Sequence, residues 1–197
     1  MHVYVVFAHP KRASFTGKVL EAFLAGLREA GHTYDLHDLC AQGFDPLLDA
    51  SQFERETAMD EDGALPGDVQ REHERLEQSQ GLVFLYPLWW SDVPAILKGW
   101  FDRVWSYGYA YFYDPEHARG TRLKVRKALA ITLAGHSLEV LEETGIAQGM
   151  RQILVQDRLL GVGIPEARLE ILGGLSGNPE TVRRAHLITA RALGLNF

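Results

Sequence analysis

Short, unbroken apolar runs alternate along this chain with segments whose apolar residues recur at helical spacing. Residues 3–8 (Val-Tyr-Val-Val-Phe-Ala), 81–86 (Gly-Leu-Val-Phe-Leu-Tyr) and 128–133 (Ala-Leu-Ala-Ile-Thr-Leu) are too short for helices and show no polar alternation. Runs of this kind suit strands covered on both faces, as in a parallel sheet. Residues 33–37 and 168–172 read as two further strands. From Phe15 onward, Val19, Leu20, Phe23, Leu24 and Leu27 mark one face of a helix that Gly31 stops. Ile96, Leu97, Trp100, Phe101, Val104 and Trp105 mark a second, opened by Pro94 in its first turn. Ile146, Met150, Ile153 and Leu154 predict a helix ending near Gly161, and Pro179 opens a last one to about Leu193. A short polar helix is expected over residues 69–78. Residues 40–68 have no convincing period and read as a long loop, as does the Tyr/Gly-rich stretch 107–123.

Strand and helix therefore alternate, with no internal repeat and no linker. Such alternation implies right-handed crossovers and a parallel sheet with helices on both faces. Five strands point to an α/β, doubly wound, flavodoxin-like sheet of order 2-1-3-4-5, built as a single domain over residues 1–197. Twenty Lys and Arg against 26 Asp and Glu leave a net charge of −6, which argues against nucleic acid as a partner. The single Cys40 excludes an internal disulfide and a cysteine metal site, and the scattered histidines have no metal-ligand spacing. No apolar run approaches the roughly 20 residues of a membrane helix, and no basic segment leads an apolar one at the start. A reducing cytosol is the expectation.

Ligands of such sheets bind outside the carboxyl ends of the strands, where the strand order reverses. Here that point lies between strands 1 and 3, and unusual residues follow both. After strand 1 come His9, Pro10, Lys11, Arg12, Ala13, Ser14, Phe15 and Thr16: a helix start with hydroxyls, free N–H groups and local positive charge, suited to phosphate. The plainer alternative is that Ser14 is an N-cap and His9 a turn residue. After strand 3 come Pro87, Leu88, Trp89, Trp90, Ser91 and Asp92. Adjacent tryptophans cannot both point inward from one element, so they suit stacking on a planar ligand, or a packing or dimer contact. The cluster of Tyr107, Tyr109, Tyr111 and Tyr113 suits a pocket or an interface equally. Thr132, Leu133, Ala134, Gly135 and His136 follow the fourth strand on the same edge, where backbone N–H groups can meet the polar rim of a ring. No Gly-x-Gly-x-x-Gly, P-loop, His-Glu-x-x-His or Gly-x-Ser-x-Gly occurs. A flat cofactor with a phosphate tail fits all three loops, and a flavin is the candidate.

Residues 87–104, Pro-Leu-Trp-Trp-Ser-Asp-Val-Pro-Ala-Ile-Leu-Lys-Gly-Trp-Phe-Asp-Arg-Val, resemble the signature of the NAD(P)H:quinone oxidoreductases of the DT-diaphorase type. Residues 8–15, 109–113 and 127–132 continue the resemblance in order, over residues 3 to about 175. It implies a homodimer with a flavin in each site at the subunit interface, and a ping-pong transfer of hydride from NAD(P)H to flavin N5 and on to a quinone. His9, Ser14, Phe15 and Thr16 match positions around the pyrophosphate. Pro87, Leu88, Trp89, Trp90 and Ser91, with Thr132, Leu133, Ala134 and Gly135, match those around the isoalloxazine ring. Tyr111 and Tyr113 match tyrosines that line the quinone and nicotinamide pocket from the partner subunit. FAD is expected, with FMN as the alternative, because Asp45, Ser51 and Gln52 stand where an adenine would lie. Short members similar to this chain also serve as ancillary flavoproteins of a bacterial potassium-efflux transporter, which is the alternative function. The chain departs from the family where a glycine pair becomes Leu133-Ala134-Gly135, and where the family's catalytic tyrosine and histidine fall near Leu141 and Ala147. No catalytic side chain is carried over; His136 is a candidate substitute.

Overall fold

A computed structural model of the chain describes residues 1–114, 116, 118–177 and 179–197. Five parallel strands form the central sheet: β1 (His2–Phe7), β2 (Thr33–Asp38), β3 (Gly81–Pro87), β6 (Lys127–Leu133) and β7 (Glu166–Leu172). Their spatial order is β2-β1-β3-β6-β7. This is the expected 2-1-3-4-5 arrangement once a small antiparallel hairpin, β4 (Phe112–Tyr113) with β5 (Arg119–Gly120), is set aside. The hairpin sits inside the stretch that the sequence reads as a loop.

Alternate strand residues face opposite layers. Val3, Val5 and Phe7 of β1, Val83 and Leu85 of β3, and Leu129 and Ile131 of β6 pack under α1 (Phe15–Glu29) and α7 (Glu180–Leu195). Tyr4 and Val6, Phe84 and Tyr86, and Ala128 and Ala130 face α3 (Gly67–Glu77), α4 (Ala95–Val104) and the helical segment of residues 146–162. Both faces of the three central strands are thus dry, as their unbroken apolar runs require. Helices α1 and α7 approach backbone to backbone: a Cβ on Gly26 would lie 2.1 Å from the Arg191 carbonyl oxygen, and one on Gly194 2.1 Å from that of Phe23.

Two further regions differ from the sequence expectation. Residues 40–68 contain α2 (Ala50–Thr57), whose Asp49 cap accepts a 2.7 Å hydrogen bond from the Gln52 N–H. Its buried face is polar, Gln52 and Arg55, so no apolar period announces it. The signal available was an Asp cap before eight residues free of Gly and Pro. The second is residues 146–162, where α6 (Ile146–Met150) passes into a π-helical stretch, Arg151–Leu159. The wider π turn shifts the buried face, so Leu154, Val155 and Leu159 point inward while Ile153 is exposed. A short α5 (Leu138–Glu143) precedes it.

One buried carboxylate ties the edge strand to the helices. Glu72 of α3 accepts from the Tyr4 hydroxyl and the Trp100 indole N–H, and pairs with His37 Nδ1 at 2.9 Å. Burial alone would raise its pKa, but the bonds from His37, Trp100 and Tyr4 outweigh that and hold it below the usual carboxylate range. A carboxylate with a lowered folded-state pKa stabilises the fold above its unfolded value, near 4.5. That contribution is lost as the pH falls through the folded value. Glu72→Gln is expected to cost about 2–3 kcal/mol at pH 7 and to flatten the loss of stability below pH 4.5. Urea unfolding of both proteins at pH 7 and in the acid range measures both effects; an unchanged acid slope rules out Glu72 as its source.

Candidate functional site

The carboxyl ends of β1, β3 and β6 carry three loops that converge on one edge of the sheet. The first leaves β1 through Ala8 and His9. Ser14 caps α1, and its Oγ accepts from the Gly17 N–H at 3.2 Å. The loop closes so tightly that a Cβ on Gly17 would lie 1.8 Å from the Arg12 carbonyl oxygen. Among the described residues, no protein group accepts from the N–H groups of Phe15 and Thr16 in the first helical turn. His9 Nδ1 accepts from the Lys11 N–H at 2.9 Å, leaving Nε2 as the protonated nitrogen of a neutral ring. Burial lowers the pKa of His9 and favours that neutral form. The local positive charge expected here is smaller than the sequence suggests, because the Arg12 guanidinium pairs with Glu21 and with Asp38.

The second loop turns back on itself. Trp89 and Asp92 exchange backbone hydrogen bonds of 3.2 and 3.1 Å, so Trp90 and Ser91 form a two-residue turn. Their φ values are +49° and +66°. Turns of this kind need left-handed backbone at both centres and prefer Asn-Gly, so a tryptophan and a serine here are strained. As expected of adjacent tryptophans, neither is core: Trp89 is 45% and Trp90 102% exposed. The Leu88 N–H donates to the Leu133 carbonyl at 2.8 Å, binding this loop to the third. In the third loop Leu133 and Ala134 are buried while Gly135 and His136 are exposed. The N–H groups of Trp90, Ser91, Gly135 and His136 are likewise without protein acceptors among the described residues.

Two adjoining cavities of about 260 and 380 Å³ share Leu88, Ala134 and Gly135. The smaller adds Phe15, Thr16, Pro87, Trp89 and Leu133; the larger adds Trp90, Ser91 and His136. Ser14, at the start of α1, and His9, whose ring lies 6.2 Å from that of Trp89, flank the first. Thr132 lies beneath, wholly buried, beside Tyr86 on the neighbouring strand. Tyr111 and Tyr113 line neither cavity; they stand on and beside β4, 6.3 Å apart, with Tyr113 47% exposed. Tyr109 is structural, stacked on His73 at 3.7 Å. Leu141 and Ala147 are buried against Ala134 and Met150 in an apolar cluster, so neither position offers a proton.

A third cavity, of about 180 Å³, is lined by Lys18, Glu180, Arg184 and Leu187, and shares Phe15 and Arg183 with the first. The Arg183 guanidinium lies 4.5 Å over the Phe15 ring, and its buried Nε has no partner. Sequence reasoning missed Arg183, because one basic residue on a polar helix carries no mark. The adenine contacts expected from residues 44–56 are overturned in part. The Gln52 amide is wholly buried and donates to the Arg103 carbonyl at 2.7 Å, while Asp45 accepts from the Leu47 N–H through its side chain. Cys40 stays a protonated thiol, its pKa raised by burial and then by the Asp38 charge.

A sequence profile described as flavodoxin-like fold matches residues 1–192. The chain is 30% identical to NAD(P)H dehydrogenase [quinone] 1 of Rattus norvegicus over 208 residues, 90% of this chain and 76% of that protein. It is 52% identical to the solved NAD(P)H:quinone oxidoreductase from Methanothermobacter marburgensis, covering 100% of this chain and 96% of that one with a TM-score of 0.95. An FMN-dependent NADH-azoreductase of Bacillus anthracis, solved in complex with FMN, shares the fold at 18% identity and a TM-score of 0.74.

The turn itself is open to test. Relieving left-handed strain is worth about 1–2 kcal/mol, partly offset by about 0.4–1 kcal/mol of added unfolded-state entropy. Ser91→Gly is therefore expected to raise stability by about 0.5–1 kcal/mol, or about 2–3 °C in Tm for a chain of this size. Calorimetry decides this: a fall in Tm means that the serine side chain holds the turn instead of straining it.

Proposed function

The chain belongs to the flavodoxin-like fold family and, within it, to the NAD(P)H:quinone oxidoreductases, and we propose that its cleft holds FAD for the two-electron reduction of quinones by NAD(P)H. Bound there, the flavin supplies a ring that takes up and returns a hydride. The observation that carries this reading is a slot with apolar walls and unpaired N–H donors at both ends. Phe15 and Thr16 offer N–H groups at one end; Ser91, Gly135 and His136 offer them at the other. The free N–H groups and positive end of α1 bind a diphosphate. Fixed N–H groups at the far end stabilise a ring that gains negative charge on reduction. Leu88, Trp89 and Ala134 keep water from between the two, and the neutral His9 ring adds a donor without adding charge.

The cavity beyond Phe15 favours FAD over FMN. An adenosine half continuing past the diphosphate meets Lys18, Arg184 and the Arg183 side chain, with Phe15 and Leu187 as apolar cover. The proposal includes a homodimer. Trp90 is wholly exposed at the mouth of the cleft, and Tyr111 and Tyr113 lie outside it. A second copy placed over the mouth covers the indole and brings its own two tyrosines to the ring. The free thiol of Cys40 is consistent with a cytoplasmic setting. No described helix is long and apolar enough to cross a membrane.

The test is the absorption spectrum of the purified protein, with the released chromophore identified by mass. A flavin spectrum bleached by anaerobic NADPH and restored by a quinone is expected, with the mass of FAD. Arg184→Met, at a residue that lines the outer cavity and neither part of the slot, is expected to weaken FAD about tenfold, the loss of one charge-assisted contact, while leaving FMN affinity unchanged. Release of FMN from the wild type overturns the dinucleotide assignment, and a protein that takes up neither flavin overturns the whole reading. Sedimentation at micromolar concentration tests the dimer, which a purely monomeric profile excludes.

A further inference from the structure

We propose that Asp92 and Arg158 are positioning residues, an ionic strap that holds the Trp90–Ser91 turn, and with it the Trp90 indole, in place over the larger cavity. Arg158 closes the π-helical stretch and reaches across to the base of the turn. Its two terminal nitrogens lie 3.3 and 3.4 Å from the two carboxylate oxygens of Asp92. The arginine is itself fixed: its guanidinium lies 5.4 Å over the Phe101 ring, its side chain is only 12% exposed, and its carbonyl accepts from the Trp105 indole at 2.7 Å. Asp92 is anchored at the other end. Its backbone closes the turn with Trp89, and Oδ1 accepts from the Val93 N–H at 2.7 Å.

The turn needs such a restraint. Trp90 and Ser91 sit in left-handed backbone that neither residue favours, and within its own subunit the indole has no packing partner. A strained turn that carries an exposed side chain shifts, and carries that side chain with it, unless something outside the turn fixes its base. Among the described residues, the ion pair to Arg158 is the side-chain link from this turn to a helix. It also explains why the π-helical stretch matters to the site. A wider turn changes which side chains leave the helix on which face, and Arg158 leaves it on the face toward Phe101 and Asp92.

This inference rests on the reading of the cleft as the flavin and quinone site, so its test includes a measurement that needs no turnover. The protein is labelled with 5-fluorotryptophan, and the Trp90 resonance is assigned by Trp90→Phe. A single narrow resonance is expected for Trp90 in the wild type, with broadening or a second resonance in Arg158→Met, which keeps the stem on Phe101. Asp92→Asn, which retains the Val93 hydrogen bond, is expected to do the same should Arg158→Met fold poorly. In turnover, both variants are expected to raise KM for the quinone about fivefold, the shift a partly exposed ion pair sustains, with kcat and flavin content near wild type. Because Ser91→Gly removes strain that the strap opposes, Arg158→Met is expected to raise KM less in that background. An unchanged Trp90 resonance in both variants overturns the strap whatever the activity. A changed resonance in a protein without quinone reductase activity keeps the strap and overturns the function instead.

Discussion

Everything at the carboxyl edge of the sheet follows from the burial of β1, β3 and β6 on both faces. Strands without a wet face must run parallel between two helical layers, and parallel strands are joined by crossovers that return the chain to the opposite end of the sheet. β1 is the first strand along the chain, and β2 lies on one side of it with β3 on the other. The chain therefore leaves β1 toward one layer and β3 toward the other. Their loops part at the carboxyl edge, and the gap between them is the slot bounded by Phe15 on one side and Trp89 on the other. The tight register of β3 with β6 then brings the Gly135 loop against Leu88.

Within that frame the polar interior is restricted to places that hold layers together. Glu72 links β1, β2 and α4 through Tyr4, His37 and Trp100. Arg103 of α4 donates to the Asp45 carbonyl and to Asp68 of α3, and it shares Gln52 of α2. The polar segment of residues 44–63 is thereby clamped to α4 instead of ranging over solvent. Gln52 and Arg55 are spent on the fold, which withdraws Gln52 from the adenine contacts expected there, while Asp45 and Ser51 stay exposed.

The cleft shows the opposite economy: it leaves donors unpaired and apolar rings exposed. Free N–H groups in the first turn of α1, an unpartnered Arg183 Nε and a fully exposed Trp90 each carry a cost in an isolated chain. A left-handed tryptophan and serine side by side add to it. Such costs concentrate where a ligand or a second copy repays them. Here they lie along one line from the α7 cavity through the α1 terminus to the Trp90 turn.

The strands, the α1 and α4 faces and the three loops were legible in the sequence because each is announced by neighbours in the chain: unbroken apolar runs, helical spacing, and Pro, Gly or Ser at the joints. Phe15, Leu88, Trp89 and Gly135 could be assigned to one cleft because the sheet order dictates which loops share an edge. Three features could not be read. α2 buries Gln52 and Arg55, whose partners on α4 and the Tyr107 loop are about 50 residues away. Ile153 misleads because a π turn obeys tertiary packing and not a local period. Arg183 and Arg158 are ordinary basic residues until folding sets one on Phe15 and the other on Asp92. Local patterning thus determined the layers and the edge at which the cleft opens. The polar partnerships were decided only by the tertiary structure, because a buried charge takes its meaning from whatever distant chain closes around it.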